Sequence, residues 1–120
     1  MNGLGLFDKA MEMLGYVSSD GISGKEDIMK KALTLINNVY SELHYSFQPE
    51  KEFNPLVSIK EELKLPKMVI EDIAPYGVAM YLAQSESDAD NQSLYAAIYN
   101  QKKSRVISIK TKHKIPHIWE

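Results

Sequence analysis

The chain has 120 residues, of which 44% are hydrophobic and 25% are charged. These values exclude global disorder and favour one domain over two. The chain contains no cysteine, which excludes disulfides and thiolate catalysis. No signal peptide pattern opens the sequence, and the longest uncharged apolar run, residues 73–85, is shorter than the ~20 residues needed to span a bilayer. We therefore expect a soluble, intracellular protein with no membrane contact.

The formal net charge of −2 is unevenly distributed along the chain. Residues 1–101 carry 8 basic and 15 acidic side chains, whereas residues 102–120 carry six basic side chains and one acidic. A basic tail on an acidic body indicates an interacting arm. A tail that merely keeps the protein in solution would have the same composition, so both interpretations stay open.

Two helices are predicted in the first third of the chain. The first spans residues 4–14, with Leu6 and Ala10 on its apolar face and Gly15 as its C-terminal stop. Residues 16–24 contain two glycine turns and form a connection. The second helix spans residues 25–43, and its apolar stripe consists of Ile28, Ala32, Leu35, Ile36, Val39 and Leu43.

A long loop follows the second helix. Residues 44–55 contain two prolines, and loops of about a dozen residues in compact domains are often functional. Ser58 and Glu61 have the spacing of a capping box, which predicts a single helical turn over residues 59–63. Pro66 ends that turn.

Residues 68–105 form the stretch around which we expect the rest to pack. Because Pro75 lacks an amide hydrogen, we favour a short turn over residues 67–73 followed by a helix that begins near Ala74. Gly77 costs about 1 kcal/mol in a helix interior relative to alanine, so it predicts the close approach of another helix. An acidic break at residues 85–91 offers N-cap residues for the last helix.

The last helix is predicted over residues 89–105. Leu94, Ala97, Ile98 and Gln101 are predicted to form its packed side, flanked by tyrosines. Tyrosine is enriched at interfaces, so the small and aromatic residues of this region are candidates for packing or for a contact between subunits. They are Tyr76, Gly77, Tyr81, Tyr95 and Tyr99.

The tail from residue 106 to 120 changes period, so we predict an extended arm separate from a helical domain of residues 1–105. Apolar and basic residues alternate between residues 107 and 115, which is a strand pattern. Such a strand needs a partner, either residues 53–59 of the same chain or an edge on another molecule. The candidate contact residues are Lys102, Lys103, Arg105, Ile107, Ile109, Lys110, Lys112 and Lys114.

The sequence offers no convincing catalytic, cofactor or metal site. His113 and His117 have a helical metal-binding spacing, but they lie in the predicted extended segment. Counted from Asp88 as a calcium loop, the sixth residue is Ser93 rather than glycine and the twelfth is Tyr99 rather than glutamate. We therefore predict a non-enzymatic protein without cofactor or metal, and an all-α fold of about four helices with long loops and a C-terminal β-strand arm.

Three phrases carry a resemblance to a known class of proteins. They are ALTLINNVYSEL at residues 32–43, YGVAMYLAQSESDAD at residues 76–90 and LYAAIYNQKKSR at residues 94–105. With the "Pro-Tyr-Gly-x-Ala" opening of the third helix, they resemble the small helical head–tail connector (adaptor, DNA-packaging-type) proteins of tailed phages and prophages. The resemblance covers about two thirds of the chain.

This resemblance implies a helical protein that assembles as a ring between the portal and the tail, with an arm that reaches a neighbour. The expected partners are copies of itself and a portal or tail protein. The expected location is the host cytoplasm during assembly and then the virion. The alternative hypothesis is a small helical regulatory or nucleic-acid-binding protein whose basic tail contacts phosphates, with DNA as a partner.

Overall fold

The computed structural model describes residues 1–16 and 25–119; the side chains of residues 25, 26 and 108–119 are not described. In this part of the chain the helices follow in the order α1 (Gly3–Leu14), α2 (Lys25–Phe47), α3 (Ala74–Ser85) and α4 (Ala89–Trp119). No β-strand occurs in the same described residues. The prediction of an all-α bundle of about four helices is therefore confirmed. The predicted turn at residues 16–24 lies, apart from Tyr16, outside the described residues.

Both ends of α1 are capped as the residue types predict. The Asn2 side chain accepts a hydrogen bond from the Gly5 amide at 2.8 Å, which satisfies one of the free N–H groups of the first turn. Gly15 has a φ of 73°, in the left-handed region where a residue with a Cβ is strained. The predicted stop at Gly15 is confirmed.

The helix α2 is one turn longer than predicted. Its apolar stripe is buried as expected, with Ile36, Val39 and Leu43 fully covered. Residues 44–47, predicted to belong to a loop, continue the helix to Phe47. None of these four residues is a helix breaker. The first breaker along the chain is Pro49, which disfavours helical backbone at Gln48, the residue before it.

The predicted helical turn at residues 59–63 does not form. The Glu61 carboxylate accepts the amides of Val57 and Ser58 at 2.8 and 2.7 Å, so half of the predicted capping box is present. The carbonyls of Ile59 and Glu61 instead accept the first amides of α1, from Leu4 and Gly3, at 2.7 and 3.0 Å. A helix over residues 59–63 would use these oxygens as acceptors for its own amides. The amides at the N-terminus of α1 bind them instead, so the helical turn does not form.

A π-helical turn, Val69–Ile73, leads into α3 at Ala74. Pro75 has no N–H for the Glu71 carbonyl four residues earlier. That oxygen accepts a hydrogen bond from Lys9 Nζ of α1 at 3.3 Å. The predicted arrangement, a short turn followed by a helix with proline in its first turn, is confirmed.

The helix α3 lies at the centre of the bundle and contacts α1, α2 and α4. Many residues of α3 are small, so other helices can approach it on several sides. Its buried residues are Ala74, Pro75, Gly77, Val78, Ala79, Leu82 and Ala83.

The predicted packed side of α4 was wrong. Leu94 is 52% exposed and Ala97 is exposed, whereas Tyr99 is only 1% exposed. Tyr95 and Val106 also pack against the core. The buried face is therefore centred on tyrosines, whose long side chains reach the core and whose hydroxyls find polar partners there.

The predicted strand at residues 107–115 is not present, because α4 continues as a helix to Trp119. The boundary predicted at residue 105 falls inside this helix. No helix breaker lies between Arg105 and Ile115, so each of these residues adds a backbone hydrogen bond to the existing helix, and only Pro116, near the end of α4, has no N–H to donate. A strand would gain such bonds only from a partner, so helix continuity outweighs the alternating pattern.

Candidate interaction site

The helices α3 and α4 approach each other closely at Gly77. A Cβ atom at this position would lie 2.7 Å from Cε1 of the Tyr99 ring. Glycine therefore leaves the space that the aromatic ring fills. The close approach predicted from Gly77 is confirmed.

Two tyrosine hydroxyls donate to one carboxylate beside this contact. Glu42 of α2 accepts from Tyr99 of α4 at 2.8 Å and also from Tyr81 of α3. Burial, and then the neighbouring carboxylate, raise the pKa of Tyr81 to about 12 and raise that of Tyr99 further. Both hydroxyls therefore keep their protons at neutral pH and link three helices as hydrogen-bond donors.

Tyr76 and Tyr95 complete the predicted packing residues. Their rings lie 6.2 Å apart between centroids, and the Tyr95 hydroxyl donates to the Met13 carbonyl at 2.9 Å. All five predicted residues thus pack inside their own chain. A role for them between subunits stays a prediction.

The first two basic residues of the predicted arm are engaged within the subunit. Lys102 Nζ lies 3.0 Å from the Asp72 carboxylate and 5.1 Å from the centroid of the Tyr76 ring. Lys103 Nζ lies 4.6 Å from the centroid of the Tyr99 ring. The contacts of the two lysines with the tyrosine rings are cation–π interactions, and they help to hold α4 on the bundle.

The other predicted arm residues lie further along α4. Arg105 is exposed, and Ile107 is partly exposed. Ile109, Lys110, Lys112 and Lys114 lie on the helical backbone of the C-terminal part of α4, and their side chains lie outside the description. The basic residues therefore form two groups. Lys102 and Lys103 contact the bundle, and the others lie further along α4.

The helix α4 is much longer than the helix on which it packs. Its 31 residues span about 46 Å, whereas the 12 residues of α3 span about 18 Å. Of the described side chains of α4, Val106 is the last that packs on the core. We name residues 107–119 the α4 extension, which is about 20 Å long as a helix. The molecule correspondingly measures 60 Å along its longest axis and 30 and 19 Å across.

Polar side chains of α2 hold the long loop after it, a feature that the sequence analysis missed. The Asn37 amide donates to the Leu56 carbonyl at 2.9 Å and accepts from the Leu56 amide at 2.8 Å. One side chain thus replaces the two bonds that a neighbouring strand would make. Leu56 itself is buried, so this point of the loop is fixed on α2.

Two further α2 residues, Tyr40 and His44, and Gln48 directly after the helix continue the same stripe. Tyr40 Oη accepts the Lys64 amide at 3.1 Å, and Gln48 donates to the Lys64 carbonyl at 2.7 Å. His44 Nε2 donates to the Lys51 carbonyl at 2.7 Å, which requires the proton on that nitrogen. The spacings of three and four residues along α2 put these groups on one face, and that polar periodicity is the signal the sequence contained.

The fixed loop exposes aromatic side chains at the end of α2. The ring of Phe53 lies 5.1, 5.2 and 5.8 Å from the rings of Tyr40, His44 and Tyr45. Tyr40 and His44 are buried, whereas Tyr45 is 58% exposed and Phe53 is half-buried. We name Tyr45 and Phe53, with the exposed carboxylates of Glu50 and Glu52, the aromatic patch.

A pocket of about 270 Å³ lies between α2 and the loop. Its lining mixes both signs of charge, including Lys51, Glu52, Glu62 and Lys64 around His44. In the described part of the chain, every buried side-chain nitrogen and oxygen has a hydrogen-bond partner. The polar groups at this pocket therefore serve to hold the loop.

Asp88, which fails as the first position of a calcium loop, has partners within its own chain. Asp88 caps α4 by accepting the Asn91 backbone amide at 3.4 Å, and it also accepts the Asn91 side-chain amide at 2.7 Å and the Tyr16 hydroxyl at 2.8 Å. These bonds lower the pKa of the Asp88 carboxyl. Helix capping at the acidic break, predicted from the sequence, is confirmed. Among the side chains that the structure describes, no three His, Asp or Glu residues converge as metal ligands.

None of the helices in the described residues combines the length and apolar character needed to cross a membrane. Scans against protein-family models, curated proteins and solved structures each returned no match to this chain.

Proposed function

We propose that this chain is a non-enzymatic virion assembly protein of a phage or prophage, a head–tail connector that forms a ring on the portal. The proposal is supported by the resemblance carried by residues 32–43, 76–90 and 94–105. In this proposal the bundle packs side by side with its copies, and the C-terminal part of α4 contacts a neighbouring copy, the portal or a tail protein. The protein would be in the host cytoplasm during assembly and in the virion afterwards.

The observation that carries the proposal is the α4 extension. The helix continues for about 20 Å past Val106, the last residue of α4 that is described as packing on the core. It carries Lys110, Lys112 and Lys114, whereas the body of the chain is acidic. A projecting basic segment and an acidic body are complementary between copies.

A ring requires that each copy offers two different surfaces, one to each neighbour. The α4 extension supplies the first surface. The alternating sequence of residues 107–115 would also allow this segment to pair as a strand on a neighbour's edge in the assembled state. We therefore propose that the extension is a contact of assembly, helical in the free chain and able to pair as a strand on the partner.

The test is the oligomeric state of the full chain, measured by light scattering after size-exclusion chromatography. We expect a concentration-dependent oligomer that is lost in the variant Lys110→Glu/Lys112→Glu/Lys114→Glu. The control reverses three exposed lysines of the body, Lys30, Lys60 and Lys67, and should keep the oligomer despite the same change in net charge. A wild-type chain that remains a monomer at all concentrations would contradict self-assembly.

The second candidate is a nucleic-acid-binding protein, favoured by the six basic residues within residues 102–120. Because Lys102 and Lys103 are seated on the bundle, phosphate contacts would fall to Arg105 and to the lysines of the α4 extension. This candidate predicts tight DNA binding by the isolated chain that weakens steeply with salt. Fluorescence anisotropy with labelled duplex DNA at two salt concentrations distinguishes it from the connector proposal.

A further inference from the structure

We infer that the aromatic patch is the surface on which the α4 extension of a second copy docks. This inference rests on the proposed function, since it names the second of the two surfaces that a ring needs. The patch consists of Tyr45, Phe53, Glu50 and Glu52, and the occupant is residues 107–119 of the neighbouring copy.

The geometry of the patch is that of a prepared contact surface. Tyr45 is 58% exposed, and its ring lies 5.8 Å from that of Phe53 at an angle of 51°. Behind them, the buried rings of Tyr40 and His44 support Phe53 at 5.1 and 5.2 Å. Exposed tyrosine backed by buried aromatic rings is typical of the anchor residues of protein interfaces.

The backbone under the patch is also fixed. His44 Nε2 holds the Lys51 carbonyl at 2.7 Å, and Asn37 holds both backbone groups of Leu56. The segment of Glu52 and Phe53 therefore lies between two anchored points, Lys51 and Leu56, and Glu50 directly precedes the first of them. A partner that binds it needs to order little of the loop, which lowers the entropic cost of association.

The chemistry of the patch fits the sequence of the α4 extension. Apolar residues such as Ile109 and Ile115 alternate there with lysines, so the segment offers both apolar surface and ammonium groups. The patch offers aromatic rings next to two exposed carboxylates, with Lys51 between them. Lysine over an aromatic ring with a carboxylate nearby is a favourable combination.

The same chain already uses this combination within one subunit. Lys102 lies 5.1 Å from the Tyr76 ring centroid and forms an ion pair with Asp72 at 3.0 Å. Lys103 lies 4.6 Å from the ring centroid of Tyr99, whose hydroxyl binds the Glu42 carboxylate. The proposed contact repeats, between copies, the pairing of α4 lysines with a tyrosine and an acid.

Charge reversal on each side tests the contact in the full chain. The patch variant is Glu50→Lys/Glu52→Lys, and the extension variant is Lys110→Glu/Lys112→Glu/Lys114→Glu. A control variant, Asp8→Lys/Glu12→Lys, makes the same charge change as the patch variant on the exposed face of α1, and the reversal of Lys30, Lys60 and Lys67 is the matched control for the extension variant. We expect both test variants to weaken self-association about tenfold or more and the control to associate like the wild type.

Mixing the variants distinguishes contact between copies from contact within one chain. In a mixture, the intact extension of the patch variant meets the intact patch of the extension variant. We therefore expect a 1:1 complex and no larger assembly in light scattering. Combining both sets of substitutions in one chain restores the charge complementarity and should restore the wild-type oligomer.

Trp119 provides an independent signal, because it is the only tryptophan of the chain and lies in the extension. Its fluorescence maximum should move to shorter wavelength as the wild-type concentration rises, and it should not move in the patch variant. Circular dichroism of each variant verifies that the helices are retained.

The outcomes separate this inference from the proposed function. If the patch variant assembles like the wild type while the extension variant does not, the extension docks elsewhere, and the inference is wrong while the assembly proposal stands. If the mixture gives no complex although both variants are folded, docking between copies on the patch is likewise wrong. A wild-type chain that never associates overturns both.

Discussion

The helices α3 and α4 are neighbours that are held in the fold by different means. Seven of the 12 residues of α3 are buried, and most of them are small or apolar. Of the described side chains of α4, residues 89–107, Tyr99 is the only buried hydrophobic residue. Apolar burial thus positions α3, whereas a few tyrosines and lysines with specific polar partners position α4.

This difference has a consequence for the surface of the molecule. A helix fixed by a few anchors on one face leaves its other faces available, and Leu94 and Ala97 are exposed for this reason. A helix buried on several sides, such as α3, has no comparable surface. Variation in α3 should therefore change stability, whereas variation outside the anchors of α4 should change contacts with partners.

The largest expected effect comes from a matched pair of leucine truncations. Leu82→Ala in α3 should lower the free energy of unfolding by about 2–5 kcal/mol, because it leaves a cavity in the core. Leu94→Ala in α4 should change it by at most about 0.5 kcal/mol, because this side chain is 52% exposed. Urea unfolding followed by circular dichroism measures both values. Equal losses would mean that the two helices are not held differently.

A smaller loss is expected at the contact between the two helices. Gly77→Ala places a Cβ against the Tyr99 ring and should cost about 1–3 kcal/mol, although alanine is the better helix former. The cost should fall when Tyr99→Leu is combined with it, since the ring that clashes is then absent. A double-mutant cycle gives the coupling energy. Additive losses would show that the ring does not limit the space at Gly77.

The hydroxyl cluster should respond to alkaline pH. Because the pKa of Tyr81 is raised from 10.0 to about 12, its stabilisation is fully present below pH 10 and is lost as the pH rises toward 12. Glu42→Gln removes the carboxylate but not the burial, so it should move this pKa part of the way back toward 10.0. Absorbance of tyrosinate during an alkaline titration, with Tyr81→Phe as the assignment control, measures the shift. An unchanged titration would contradict the role of Glu42.

The smallest effect is expected at the seated lysine. Lys102→Ala removes the ion pair with Asp72 and the contact with the Tyr76 ring, and should cost at most about 1 kcal/mol, less at high salt. The control Lys30→Ala, whose 3.9 Å pair with Asp27 is fully solvated, should have no measurable effect. Thermal unfolding at two salt concentrations distinguishes them. A loss that does not depend on salt would indicate that packing of the lysine stem dominates.

Local signals predicted those parts of the fold that depend on neighbours in sequence. Gly15 ended α1, Pro75 lay in the first turn of α3, and Asp88 capped α4, because each effect acts within one or two helical turns. The apolar stripe of α2 was equally clear, since six apolar residues recur at helical spacing. The extra turn to Phe47 was missed because residues 44–47 contain no helix breaker, so α2 extends past Leu43, the last residue of its apolar stripe.

Features that depend on distant partners could not be predicted in the same way. The carbonyl of Ile59 binds the N-terminus of α1, and nothing in the local sequence around residue 59 indicates this. The burial of Tyr99 in preference to Leu94 depends on the space at Gly77 and on the carboxylate of Glu42. Hydrophobicity alone ranks leucine above tyrosine and therefore gave the wrong face of α4. The aromatic patch likewise exists only because α2 and the loop meet.

The Asn37 side chain forms its two hydrogen bonds with main-chain atoms only, the amide and the carbonyl of Leu56. Its hold is indifferent to which side chains the neighbouring loop residues carry. Selection could thus exchange an exposed residue such as Val57 while the backbone keeps its course. Relatives of this protein could therefore differ in the side chains of this loop, and in the partners they bind, while they keep asparagine at position 37. That asparagine would then identify relatives better than the residues of the surface that it supports.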